Sequence, residues 1–129
     1  NPQTHDINDG KYISVQTIIN DIVANVAYDP LIQGITFSGG EPFLWAWELA
    51  TIGEIAHTYG LDIWTYTGYT YEELLEKGTD DPRVKKLLDV TDYLVDGPFV
   101  LAEKDLTLEF RGSRNQRIIH LVNGERKEN

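Results

Sequence analysis

The sequence predicts an α/β protein: an open, mostly parallel sheet with flanking helices. Three observations point to it. Short apolar runs rich in β-branched residues alternate with helical apolar periods at least three times along the chain. Three of those runs end in turns that set a glycine beside a polar residue: Ser38-Gly39-Gly40-Glu41, Thr67-Gly68 and Asp96-Gly97. The length of 129 residues, 41% hydrophobic and 25% charged, suits a single domain with one core. That domain is expected over residues 1–122, with 123–129 as a polar, frayed C-terminal tail.

The elements follow in order. Asn1 to Ile13 has no apolar period and reads as loop. His5 and Asp6 are its one titratable pair able to do chemistry, if they are not simply solvated. Ser14 is a suitable N-cap for a helix whose stripe is Val15, Ile18, Ile19, Ile22, Val23 and Val26. That helix should stop before Pro30. Ile32 to Phe37 reads as a buried strand.

The strand feeds the turn Thr36-Phe37-Ser38-Gly39-Gly40-Glu41-Pro42. Gly39 and Gly40 lack a Cβ, so backbone and ligand can approach closely. Pro42 suits the first turn of a helix, where its missing N–H costs nothing. Glu41 then sits at the mouth of the turn beside unpaired backbone N–H groups. N–H donors suit a carboxylate and Glu41 suits a cation, so the turn fits a zwitterion or an ammonium group. The same residues would equally serve as an ordinary strand-to-helix turn.

Phe43 to Tyr59 is the next helix, with Leu49, Ile52, Ile55, Ala56 and Tyr59 as its inner stripe. Trp45 and Trp47 cannot both point inward, so one is expected at the surface. Gly60 is a C′ residue, and His57 near the helix end has a structural role, offsetting the helix dipole. Leu61 to Tyr66 is the second strand. Thr70-Tyr71-Glu72-Glu73 forms a capping box. Asp80-Asp81-Pro82 opens another helix with Val84, Leu87 and Leu88 inward. Tyr93 to Asp96 is the third strand. Beyond Leu101 to Phe110, which mixes acids with apolar residues, lies Arg111-Gly112-Ser113-Arg114-Asn115-Gln116-Arg117. Its arginines either pair with the surplus acids of the chain or recognise a carboxylate or phosphate. Ile118 to Val122 is a final strand.

In parallel α/β sheets, ligands bind beyond the carboxyl ends of the strands. The three glycine turns all lie at such ends, so they converge on one rim. This favours the ligand reading of the opening turn.

Composition narrows the function classes. With 11 basic and 21 acidic residues the formal charge is −10, which repels phosphate backbones and argues against nucleic-acid binding. Nothing is long or apolar enough to span a membrane, and Asn1 to Asp6 is not a signal peptide. A cytoplasmic setting is expected. The count of cysteines is 0, which rules out disulfides and Cys-ligated metals within these residues. There is also no methionine, and a chain opening on Asn-Pro is expected to be a fragment or a processed product.

Four stretches carry a family resemblance: Asn1-Pro2-Gln3-Thr4-His5-Asp6; Phe37-Ser38-Gly39-Gly40-Glu41-Pro42; Trp64-Thr65-Tyr66-Thr67-Gly68-Tyr69; and Val95-Asp96-Gly97-Pro98-Phe99 with the Arg111 to Arg117 segment. Together they resemble the radical S-adenosylmethionine (SAM) proteins that activate anaerobic ribonucleoside-triphosphate reductase. A Gly-Gly-Glu-Pro turn alone marks only the radical SAM superfamily; the last stretch is more specific to the reductase activators. The resemblance implies a partial β/α barrel, of which this chain would be a piece. It implies that Ser38, Gly39, Gly40 and Glu41 contact the amino end of SAM, with Thr67 and Asp96 as further contacts. It also implies that Arg111, Arg114 and Arg117 hold the C-terminal strand or face the reductase.

The implied cofactors are SAM and a [4Fe-4S] cluster. The implied chemistry is reductive cleavage of SAM to a 5′-deoxyadenosyl radical that makes a glycyl radical on the large reductase subunit. A flavodoxin-like protein would be the reductant. The family ligates the cluster through a Cys-xxx-Cys-xx-Cys loop just before a segment like Asn1 to Thr4. This sequence begins past that point, so it is expected to be a truncated, inactive form with no catalytic or metal-ligating residue of its own. Loss of the preceding strand would leave Ile32 to Phe37 as an exposed edge, and self-association through it is expected, unless Asn1 to Ile13 folds over the gap. Two alternatives stand beside this reading. One is a different radical SAM enzyme, such as a pyruvate formate-lyase activator or a small tunnelling-type enzyme. The other is a non-catalytic α/β module that binds a small molecule.

Overall fold

In the computed structural model, the residues described are 15–28, 34–38, 40–98 and 116–127. The opening loop with His5 and Asp6, the Ser14 cap, Gly39, Arg111 and Arg114 lie outside them.

The first helix, α1, spans Val15–Tyr28 and ends before Pro30. Its Ile22 is buried, and Val15, Ile18 and Ile19 pack against the same core. Strand β1 spans Gly34–Phe37. A 3₁₀ turn over Pro42–Trp45 follows and leads directly into α2, Ala46–Thr58. The expected helix therefore starts three residues late. The tighter 3₁₀ geometry also changes the phase of the side chains. Leu49, Ile52 and Ala56 are buried as expected, whereas Tyr59 is exposed. Tyr59 is the C-cap residue at φ −98° and ψ 9°, so it has left the helical stripe. Trp45 and Trp47 are both exposed, where one was expected. Gly60, at φ 75°, ends the helix: its N–H reaches His57 O at 3.0 Å and Leu61 N reaches Ala56 O at 3.2 Å. Those two bonds form a Schellman motif.

Strand β2 is Asp62–Tyr66. Helix α3, Tyr71–Asp80, opens on the expected capping box, with both Thr70 and Glu73 bonds present. Helix α4, Pro82–Val90, is capped by Asp81 and buries Val84, Leu87 and Leu88. Strand β3 is Tyr93–Asp96, β4 is Arg117–Val122 and β5 is Glu125–Arg126. Residues 123–126, part of the stretch expected to be a frayed tail, thus fold back as a hairpin around Asn123-Gly124.

Among the described residues, five strands form one sheet in the order β1-β2-β3-β4-β5. Pairs β1–β2 and β2–β3 are parallel, while β3–β4 and β4–β5 are antiparallel. This is the open α/β sheet that the alternation of elements predicts, parallel from β1 to β3 and antiparallel beyond, with β1 at one edge of the described strands. Period-two alternation gives the sheet two different faces. Ile35, Phe37, Ile63, Thr65, Leu94, Ile119 and Leu121 are buried towards the helices. On the opposite face Trp64, Tyr93 and His120 lie in register across three strands. Their rings stack at centroid spacings of 4.6 Å and 4.8 Å.

A second anchor sits at the opposite end of the strands from the glycine turns. The Asp92 Oδ2 atom accepts Ile63 N at 2.7 Å and lies 2.8 Å from His57 Nε2. His57 is therefore structural, as expected, through a side-chain bond that its position at the helix end does not reveal. Among the described residues, no helix is long and apolar enough to cross a membrane.

Candidate functional site

Parallel β1, β2 and β3 carry their carboxyl ends to one rim, and the three glycine turns follow there. The first turn presents Ser38, Gly40 and Glu41. Glu41 has extended backbone angles, φ −101° and ψ 104°, and its side chain caps the 3₁₀ turn by accepting Phe43 N at 3.1 Å. Pro42 and Phe43 are buried, which fixes the turn on the core.

The Glu41 carboxylate also reaches the second turn. The Thr67 hydroxyl lies 3.0 Å from Oε1 and 2.9 Å from Oε2, and Gly68 N donates to Oε1 at 2.8 Å. The Thr67 oxygen accepts Tyr69 N at 3.1 Å. Thr67 is buried, Glu41 is half-buried, and Gly40 and Gly68 are exposed. One carboxylate therefore ties the ends of β1 and β2 together. The sequence singled out Glu41 and Thr67 separately, and the structure joins them.

The second and third turns are joined through backbone. Thr67 N donates to Val95 O at 3.0 Å, and Gly97 N donates to Tyr69 O at 2.8 Å. Gly97 takes φ 93°, open to glycine and strained for other residues.

Asp96 closes the third turn, and its surroundings differ from those of Glu41. It is buried, and its Oδ2 accepts Tyr71 N at 2.7 Å. Arg117 Nε donates to Oδ1 at 3.0 Å, and Arg117 Nη2 donates to Oδ2. The same guanidinium reaches Glu72 Oε1 at 2.7 Å. Those two carboxylates raise the Arg117 pKa further above its ordinary value, chiefly through the bond to Asp96. The bond to Arg117 in turn lowers the Glu72 pKa. Gln116 Nε2 adds a bond to Gly97 O at 3.1 Å. The end of the Arg-rich segment thus pairs internally, holding β3, β4 and the start of α3 together. Both carboxylates accept from protein donors, but Asp96 is buried and paired with a guanidinium, whereas Glu41 is only half-buried and has no cationic partner among the described residues. Gln116 carries part of the rim without having stood out in the sequence; only its place inside the Arg-rich stretch marked it.

No three His, Asp or Glu side chains among the described residues are placed to hold a metal ion.

Comparison with known proteins gives a consistent picture. A family model described as a 4Fe-4S single cluster domain matches residues 1–119. The chain is 34% identical over 128 residues to the anaerobic ribonucleoside-triphosphate reductase-activating protein of Escherichia coli K12, spanning 94% of this chain and 77% of that protein. It is 37% identical over 112 residues to the protein of the same name from Haemophilus influenzae, spanning 81% of this chain and 64% of that one. Against the Salmonella typhimurium protein of that name it is 40% identical over 93 residues, spanning 69% and 56%. No solved structure gives a significant match.

Proposed function

Since the chain belongs to the family of anaerobic ribonucleoside-triphosphate reductase-activating proteins, we propose that it serves an activase reaction which these residues, without cysteine, do not complete alone, and that its rim binds the methionyl amino end of SAM. The partner in this reading is the large subunit of the reductase, which receives a glycyl radical. A flavodoxin-like protein supplies the electron, and the setting is the cytoplasm.

The observation that carries the reading is the state of Glu41. A carboxylate offers about four lone-pair directions. Among the described residues, three protein donors approach Glu41: Phe43 N, Gly68 N and the single hydroxyl proton of Thr67. About one acceptor direction is left, on a half-buried anion at the carboxyl rim of a parallel sheet. That suits one N–H of an ammonium group. The exposed backbone at Gly40 and Gly68 lets a ligand come close without meeting a side chain. The roles of these residues are to bind and to orient. Asp96 takes an indirect part by holding the neighbouring turn. When bound, SAM supplies a 5′-deoxyadenosyl group able to take up a hydrogen atom after reductive cleavage.

The cluster is a separate matter. The chain contains 0 cysteines, and carboxylate and imidazole groups do not replace three thiolates for an iron–sulfur centre. The present residues do not fit that group, and no step is derived through it. Such a chain is inferred not to assemble the cluster by itself; a stoichiometric EPR-active centre after anaerobic reconstitution with iron and sulfide would contradict this.

Calorimetric titration of the 129-residue chain with SAM tests the rim. Weak but saturable binding is expected, because iron chelation is absent. Methionine, which carries the same amino and carboxylate groups, should compete. Glu41→Gln should weaken binding at least about tenfold while the circular dichroism spectrum is unchanged. Absence of SAM binding, or equal binding by the variant, would refute the assignment.

A further inference from the structure

Three large apolar side chains stand in the solvent immediately beyond Glu41. Leu44 is 72% exposed, Trp45 49% and Trp47 50%. They are not held out by a loose loop. Leu44 N donates to Glu41 O at 3.0 Å, and Pro42, Phe43 and Ala46 are buried between and beside them. The 3₁₀ turn therefore presents Leu44 and Trp45 from a fixed platform, joined to the Glu41 carboxylate at the rim through Phe43 N. Trp47 stands beside them with Lys86 Nζ 4.4 Å above its ring. Exposed tryptophan on a rigid support is a common form of interaction anchor, since little entropy is lost on contact.

We propose that Leu44 and Trp45, flanked by Trp47, form the surface on which the protein substrate of the activase docks. This rests on the activase reading above: a reaction on a protein needs a protein-binding surface next to the small-molecule site, and this patch adjoins it in sequence and in space. Charge selects the occupant. Glu48 lies in the first turn of α2 beside the patch, Glu54 follows on the same helix and is matched by Lys86 at 3.6 Å, and the whole chain carries −10. A second copy of this chain would bring like charges together. The fitting partner is a different polypeptide that offers an apolar recess, with a cation to meet Glu48 on the side away from Lys86, which already covers Trp47 and pairs with Glu54.

The test uses the whole chain and the immobilised large subunit of the reductase from the same source. The double variant Leu44→Ser, Trp45→Ser should bind the subunit at least about tenfold more weakly, and Glu48→Lys should also weaken it. Both should keep the wild-type circular dichroism spectrum and bind SAM as before, because neither site lies among the rim contacts. Leu44→Asp alone provides a second variant at the most exposed position. Equal affinity of the double variant for the reductase would overturn the proposal. So would failure of the wild-type chain to bind the subunit, or sedimentation showing a wild-type dimer that the same substitutions abolish. SAM titration is read separately, so loss of the docking surface and failure of the SAM assignment give different results.

Discussion

The guanidinium of Arg117 faces the buried carboxylate of Asp96, with Nε donating to Oδ1 at 3.0 Å and Nη2 to Oδ2. Among the described residues, the other donor to the carboxylate is Tyr71 N at 2.7 Å. Removing the arginine leaves a buried charge with one backbone donor. Arg117→Ala should therefore cost about 3 kcal/mol, within the range for breaking a buried pair and lowered by the partial exposure of the guanidinium. Arg117→Lys keeps the charge without the planar fork and should cost about 1–2 kcal/mol. Urea unfolding measures both, and a wild-type midpoint for Arg117→Ala would show that the pair does not hold the sheet.

Arg117 also governs an acid dependence. Its bond to Glu72 holds that carboxyl below its ordinary value of 4.5. For a carboxyl lowered by folding, the stabilisation is complete above the unfolded value and is lost as pH falls through the folded one. The unfolded chain binds the extra proton first, so stability drops with decreasing pH in that window. The stability difference between wild type and Glu72→Gln should be constant above about pH 4.5 and shrink below it. Unfolding curves at a series of acidic pH values give the difference directly. A difference that stays level into strong acid would mean that the bond contributes nothing.

Glu41 and Thr67 form the second long-range pair of the rim, at 2.9 and 3.0 Å. Thr67→Val keeps the shape, removes the donor to Glu41 and leaves Tyr69 N without its acceptor. It should cost about 1–2 kcal/mol. Because the two side chains share one bond, a cycle with Glu41→Gln should show a coupling of about 0.5 kcal/mol or more. Additive single changes would mean that the two turns are held together by the backbone alone.

What could be read from the sequence divides along the range of the interactions. Thr70-Glu73 and Asp81-Pro82 announce their helices because capping chemistry acts within three residues. The first three strands announce themselves by alternation with helices, and their parallel order follows from that. Glu41 was visible as a polar residue after glycines, but its bond to Thr67 depends on two strands becoming neighbours. Asp96 carries the same local signature as Glu41, a polar residue beside a glycine at a strand end. What separates them is Arg117, brought alongside only when β4 pairs with β3. Tyr59 and the paired exposure of Trp45 and Trp47 escaped for a different reason. The helical period was counted from Phe43, and the 3₁₀ turn breaks that count before α2 begins.

The Asn123-Gly124 pair is a local signal that points to the last hairpin. Asn123 takes φ 53° and Gly124 φ 81°, the left-handed pair that a tight two-residue turn between antiparallel strands requires. The turn is docked as well as formed: Tyr71 Oη donates to Gly124 O at 2.8 Å. A Cβ at position 124 would lie 2.4 Å from Asp89 Oδ1. That oxygen can swing away, since it ends a side chain whose partner is Lys85 at 3.2 Å, but the backbone angle cannot change without opening the turn. Gly124→Ala should therefore cost about 1–2 kcal/mol. Asn123→Gly accepts the same angle and should stay within about 0.5 kcal/mol of wild type. Equilibrium unfolding of the two variants side by side checks the pair. Equal stability would mean that β5 contributes nothing to the sheet, while a large loss for Gly124→Ala alone would place the hairpin within the cooperative fold.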